Sequence, residues 1–103
     1  MDKRENVISI AKKYLALVKE SDFPMQIDKA YLFGSYAKDN PKKDSDIDIA
    51  FVVNKWIGDY EEAIVPMWRL RKKIDFRIEP HIIIRDEDYS DFLPEIQKNG
   101  IEI

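Results

Sequence analysis

The sequence has no cysteine and a single histidine, His81, among its 103 residues. Disulfide bonds, thiolate metal sites and zinc sites built from several histidines are therefore excluded. The 17 Lys and Arg residues are outnumbered by 20 Asp and Glu residues, for a net charge of −3. This balance predicts no strong binding to nucleic acid, which depends on an excess of Lys and Arg.

Long apolar runs are also missing. No stretch approaches the roughly 20 apolar residues that a membrane span requires. The sequence begins with mainly charged residues, and no apolar run long enough for a signal peptide follows them. These absences predict a cytoplasmic protein that does not associate with membranes.

Enough apolar residues remain for one core. Hydrophobic residues make up 45% of the chain, and the length predicts a single domain over residues 1–103. The predicted elements are helix 3–20, strand 29–33, short helix 35–38, strand 46–53, helix 59–73, strand 74–84, helix 86–98 and strand 101–103. This order predicts an α/β or α+β domain in which helices flank a small mixed sheet.

Two prolines modify this pattern. Pro66 predicts a kink in helix 59–73, or its division into two shorter helices. Pro80 lacks the N–H group that a central strand needs, so it predicts an edge position or a bend in strand 74–84.

Three aspartates precede or begin the most strand-like segment of the chain. Asp44, Asp46 and Asp48 are two residues apart, and such residues point to the same side of a strand. Like charges at this spacing repel, and a divalent cation relieves the repulsion. Oxygen ligands of this kind favour Mg²⁺ or Mn²⁺. The alternative is a solvated turn without a function.

A second motif lies just before the aspartates. Gly34 follows a predicted buried strand, and Ser35 can begin a helix whose free N–H groups bind phosphate oxygens. Lys38 is a further candidate for binding phosphate, although a lysine in a turn often serves only solubility. Ser35 can equally be a plain helix N-cap. The two motifs together predict nucleotidyl transfer assisted by two metal ions.

The spacing of these motifs also carries a resemblance. Gly34-Ser35, ten intervening residues and Asp46-Ile47-Asp48 resemble the signature of the DNA polymerase β-like nucleotidyltransferase superfamily, and the short chain is most similar to its minimal nucleotidyltransferases. The resemblance implies ATP or another nucleoside triphosphate as substrate, and a third carboxylate from a later strand. Asp75 matches that place and is preferred. Glu79, four residues on, is its competitor.

The resemblance further implies a biological setting. Minimal nucleotidyltransferases often pair with a small helical HEPN-domain protein, as the antitoxin that modifies it by adenylylation. The resulting prediction is an enzyme that transfers AMP from ATP to a hydroxyl group. The alternatives are a catalytically idle module that neutralises a partner by docking, and a nucleotide or metal sensor without turnover. The oligomeric state stays open.

Overall fold

The computed structural model of the chain describes residues 4–21, 25–34, 46–56, 60–84 and 92–103. Its helices are α1 (Arg4–Glu20), α2 (Tyr60–Leu70) and α3 (Phe92–Asn99), and its strands are β1 (Met25–Phe33), β2 (Ile47–Trp56), β3 (Ile78–Ile84) and β4 (Ile101–Glu102). A single turn of 3-10 helix, Arg71–Lys73, follows α2. The predicted short helix 35–38 lies outside the described residues.

The strands form one mixed sheet in the order β3-β2-β1-β4. β1 pairs antiparallel with β2 and with β4, whereas β2 and β3 run parallel. The predicted α/β class with a small mixed sheet is confirmed. β3 lies at one edge of the sheet, as Pro80 predicted, because an edge strand tolerates the missing N–H group.

Side chains alternate between two faces of the sheet, and each face has its own apolar cluster. The first face packs against α1 and α2 through buried residues that include Leu32, Ile49 and Ile78. The second face packs against α3, where Ala50 and Val52 contact a smaller cluster. Because neighbouring residues point to opposite faces, the burial of the first set fixes which residues lie on the second.

The helix over the first face follows from its apolar stripe. Val7, Ala11, Tyr14 and Val18 are fully or almost fully buried, whereas the lysines between them are exposed. These positions are three or four residues apart, so they lie on one side of an α-helix. The helix ends at Glu20, and the Ser21 hydroxyl donates a hydrogen bond to the Leu17 carbonyl, 2.9 Å away.

Several boundaries differ from those that the sequence predicted. β1 begins at Met25, four residues before the predicted start. Pro66 lies inside the single α-helix Tyr60–Leu70, so the predicted alternative of two shorter helices divided at this residue is wrong. Proline there removes the hydrogen bond to the carbonyl of Glu62, four residues earlier, and Glu62 is exposed, where solvent can replace that bond.

The start of β3 is the boundary that matters for function, since it lies at Ile78 and not at Ile74. Residues 71–77 form a compact turn in which the N–H groups of Ile74 and Asp75 donate to the Arg71 carbonyl, at 3.0 and 2.8 Å. The Arg71 side chain donates from Nη1 to the Ile78 carbonyl at 3.1 Å. Residues 74–77, which the sequence pattern assigned to the strand, therefore belong to this turn.

Within the described part of the chain, none of the helices combines the length and the apolar character that crossing a membrane requires.

One buried hydrogen bond joins the two helices of the first face. The Tyr14 hydroxyl donates to the Met67 carbonyl at 2.6 Å, and both residues are fully buried. Met67 lies in the last turn of α2, where backbone carbonyls lack a partner within the helix. Burial raises the pKa of Tyr14, and the charge of Arg71 opposes this effect.

We expect Tyr14→Phe to lower the free energy of unfolding by about 1–3 kcal/mol, because the Met67 carbonyl stays buried without a donor. The variant keeps the aromatic ring and its contact with Phe51, whose centroid lies 5.9 Å away. Urea denaturation measures the change. An unchanged midpoint at an unchanged slope would show that the bond contributes nothing.

Candidate active site at the strand ends

Two adjacent strand starts bring the predicted carboxylates together. Asp48 is the second residue of β2 and Glu79 the second of β3, and the parallel register places them opposite each other. The Ile47 N–H group donates to the Arg77 carbonyl at 2.8 Å, which fixes this register at its first pair. Both acids lie on the second face of the sheet, since Ile47 and Ile78 beside them are buried in the first.

The acids are close enough to affect one another. The pKa of Glu79 is raised, first by burial and then by the charges of Asp46 and Asp48. Hydrogen bonding to the same two carboxylates acts in the same direction. The three acids therefore form one electrostatic unit, in which a cation would be stabilised.

A histidine side chain, His81, lies beside the carboxylates of Asp48 and Glu79. One oxygen of each and one ring nitrogen of His81 all lie within 4.8 Å of one another. The Nε2 atom of His81 is 3.3 Å from Oδ1 of Asp48. The side chains of Asp48 and His81 are 22% and 38% exposed, so a ligand can reach them from solvent. The donor set fits a divalent metal ion.

Gly34 directly follows β1 and lies close to the Asp48 carboxylate. Its φ angle is 78°, a left-handed conformation that side chains with a Cβ rarely adopt. A Cβ atom at this position would lie 2.5 Å from Oδ2 of Asp48. The glycine therefore allows the backbone to approach the carboxylate. Ser35, Lys38 and Asp44, the other predicted members of these motifs, lie outside the described residues.

Asp75, the preferred third carboxylate, is placed differently. It lies in the turn before β3, where its carboxylate accepts hydrogen bonds from the Arg77 backbone N–H at 2.8 Å and from Nη2 of the same residue at 2.8 Å. These bonds lower the pKa of Asp75. On an extended strand, Asp75 and Glu79 would point to the same face, because they are four residues apart. The strand begins only at Ile78, so this relation does not hold for Asp75.

His81 was not among the site residues that the sequence predicted. The available signal was its spacing from Glu79, since two residues apart on a strand means the same face. Phe33 also lies on this face, because it pairs with Asp48 across β1 and β2. Its ring meets the imidazole edge to face, with centroids 5.1 Å apart.

The site as a whole defines a class of chemistry. Carboxylates at the starts of two parallel strands can hold a divalent cation, and the glycine turn beside them can approach a phosphate group. Such an arrangement suits chemistry on phosphate esters with the help of a metal ion.

The family model for Polymerase beta, Nucleotidyltransferase matches residues 5–103, and the chain belongs to this family. It is a nucleotidyltransferase, as the sequence predicted. The family implies a nucleotide substrate and a divalent metal, in agreement with the acidic site.

One relative and three solved structures are similar to this chain. A protein of Methanocaldococcus jannaschii, provisionally named a protein adenylyltransferase, is 29% identical over 80 residues, which cover 76% of this chain and 80% of that protein. A Sulfolobus solfataricus protein, provisionally described as a nucleotidyltransferase, aligns with a TM-score of 0.61 and 23% identity over 97% of this chain and 81% of its own.

The other two structures are of the toxin–antitoxin pair MntA-HpeT. Their TM-scores are 0.61 and 0.60, at 18% and 17% identity. The alignments cover 90% and 88% of this chain and 70% and 69% of those chains. At these identities the solved structures show a shared fold.

We expect Gly34→Ala to damage both stability and the site. The left-handed conformation costs about 1–2 kcal/mol for a residue with a Cβ atom. The new methyl group also displaces the Asp48 carboxylate, so affinity for Mg²⁺ should fall roughly tenfold or more. Calorimetric titration and urea denaturation measure the two effects.

Gly100→Ala is the matched control, because a Cβ atom there would lie 2.5 Å from the Ile96 carbonyl oxygen, away from the acids. It should destabilise the fold and leave metal affinity unchanged. Equal metal affinity in the two variants would contradict the role assigned to Gly34.

The crowding of acids gives a second expectation. Glu79→Gln removes a negative charge that Asp46 and Asp48 repel, so the metal-free variant should be more stable than the metal-free wild type at pH 7. Added Mg²⁺ should reverse this order, since it stabilises only a chain that binds it. Thermal unfolding with a chelator and with excess Mg²⁺ tests both statements, and Glu95→Gln, at an exposed position of α3, serves as the control. A Glu79→Gln variant that stays less stable than wild type with the chelator present contradicts the argument.

Proposed function

We propose that this chain transfers AMP from ATP to a hydroxyl group, with Mg²⁺ or Mn²⁺ bound by Asp46, Asp48 and Glu79. The observation that carries the proposal is the meeting of these acids at the starts of two parallel strands, next to Gly34. The provisional name of the Methanocaldococcus jannaschii relative supports the choice of an adenylyl group.

The bond changes of this reaction are simple. The acceptor oxygen forms a bond to the α-phosphorus, the bond to the leaving pyrophosphate breaks, and the proton of the hydroxyl passes to solvent. When bound, the metal stabilises the negative charge of the attacking and leaving oxygens. The chain itself holds the carboxylates at fixed positions on the sheet, and Gly34 leaves room for the triphosphate to approach them.

Glu79 is the better choice for the third carboxylate. It faces Asp48 across the parallel pair of strands, whereas Asp75 is engaged by the Arg77 side chain in the preceding turn. A carboxylate that already has a cationic partner is a weaker ligand for a metal ion. The role of Asp75 in this proposal is to stabilise the turn that sets the start of β3.

The proposed acceptor is a hydroxyl group on a partner protein of the small helical HEPN type. Support comes from the resemblance to minimal nucleotidyltransferases and from the toxin–antitoxin pair among the structures with the same fold. The chain would then act as an antitoxin that modifies its partner.

The test uses ATP labelled at either the α- or the γ-phosphate, together with Mg²⁺ and the protein encoded by the neighbouring gene. Adenylylation leaves the α-label on the partner and releases the γ-label with pyrophosphate. If the partner instead acquires the γ-label and no α-label, the reaction is phosphorylation, and the proposal is overturned.

Substitutions separate the roles of the acids. Asp48→Asn and Glu79→Gln should lower the rate on the order of 10²–10³-fold, because each removes a charge that stabilises the reacting phosphate through the metal. Asp75→Asn should change the rate by less than about threefold and cost about 1 kcal/mol of stability, as partly exposed ion pairs do. An Asp75→Asn variant as impaired as Asp48→Asn, with its fold intact, would restore Asp75 as the third carboxylate.

The same variants decide between catalysis and docking. If the partner is neutralised equally well by wild type and by Asp48→Asn, the chain acts by binding alone. If neutralisation and label transfer are lost together, it acts as an enzyme.

A further inference from the structure

We propose that the imidazole of His81 is a nitrogen ligand of the metal ion, beside the carboxylates of Asp48 and Glu79. The inference rests on the proposed function, because it concerns the same cation site. It changes the chemistry of that site from an all-oxygen set to a mixed nitrogen and oxygen set.

The first argument is position. Glu79 and His81 lie two residues apart on β3, so their side chains leave the same face of the sheet. Asp48 lies opposite Glu79 on β2. The three ligand atoms therefore converge within 4.8 Å from two adjacent strands. Strands hold side chains more rigidly than loops do, which suits a metal site.

The second argument is distance. Two ligands bound at roughly 2.1 Å from one ion, at 90–110° to each other, are separated by about 3.0–3.4 Å. The separation of Nε2 of His81 and Oδ1 of Asp48 is 3.3 Å, within this range. In the absence of a metal the same two atoms are also within reach of a hydrogen bond, so the contact brings the ring nitrogen to the carboxylate in either case. The pair is thus already at the separation that two ligands of one ion require.

The third argument is the fixed orientation of the ring. Phe33 meets the imidazole edge to face at 5.1 Å between centroids, and Phe33 pairs with Asp48 in the sheet. An aromatic contact of this geometry restricts the ring. A ligand whose orientation is set in advance loses less conformational entropy when it binds.

A nitrogen ligand changes which metals the site prefers. Imidazole favours later transition metals, whereas carboxylate and water suit Mg²⁺ and Mn²⁺. We therefore expect the wild-type chain to bind Co²⁺ more tightly than Mg²⁺. His81→Phe should lower the affinity for Co²⁺ on the order of 10–100-fold and the affinity for Mg²⁺ by less than about threefold.

The sequence makes a direct test possible, because His81 is the only histidine in the chain. Chain without a histidine tag is prepared with ¹⁵N-labelled histidine and with ordinary histidine, and Mn²⁺ is added without nucleotide. Pulsed electron paramagnetic resonance then detects nitrogen nuclei bound to the ion. A change in the nitrogen modulation between the two samples is expected, and its absence while Mn²⁺ is bound overturns the inference.

Variants keep the two proposals separate. His81→Phe retains a ring against Phe33 and loses the nitrogen, and His81→Gln replaces it if the first variant fails to fold. An unchanged preference for Co²⁺ over Mg²⁺ in the folded variant overturns the inference and leaves the carboxylate site standing. Asp48→Asn should weaken the binding of both metals. If it does not, the metal site of the proposed function is wrong, and the role of His81 is overturned with it.

Discussion

The site depends on the register between β2 and β3. This register places Asp48 against Glu79, and it is held on the opposite face by buried Ile47, Ile49 and Ile78. A slip of one residue would turn the carboxylates into the apolar core and the isoleucines into solvent. Burying unpaired carboxylates costs several kcal/mol each. The core therefore specifies which face of the sheet carries the acids.

The sequence predicted this arrangement where local pattern was enough. The continuous apolar run after Asp48 indicated a central strand, and the alternation of Asp46 and Asp48 indicated a shared face. Proline at position 80 indicated the edge of the sheet. Each of these inferences uses only the period of a strand and the missing N–H group of proline. For the same reason the α/β class followed from the order of the elements.

The local sequence pattern could not decide whether Asp75 or Glu79 is the better candidate for the third carboxylate. Residues 74–84 read as one strand-like run, and both acids have the same parity along it. The difference arises from the hydrogen-bonded turn that begins at Arg71, whose side chain reaches the Ile78 carbonyl and whose guanidinium stacks 4.5 Å from the centre of the Trp68 ring. These contacts join α2 to β3. They depend on how a helix packs beside the sheet, which periodicity does not report.

The acids that define the site also make it unfavourable on its own. Burial, and then the charges of Asp46 and Asp48, raise the pKa of Glu79, and the chain carries a net charge of −3. A nucleoside triphosphate is itself strongly anionic, so it would meet this repulsion on approach. A divalent cation relieves both, because it attracts the carboxylates and the phosphates together. In the proposed function, metal and nucleotide binding are therefore coupled, and each must raise the affinity for the other by the same factor.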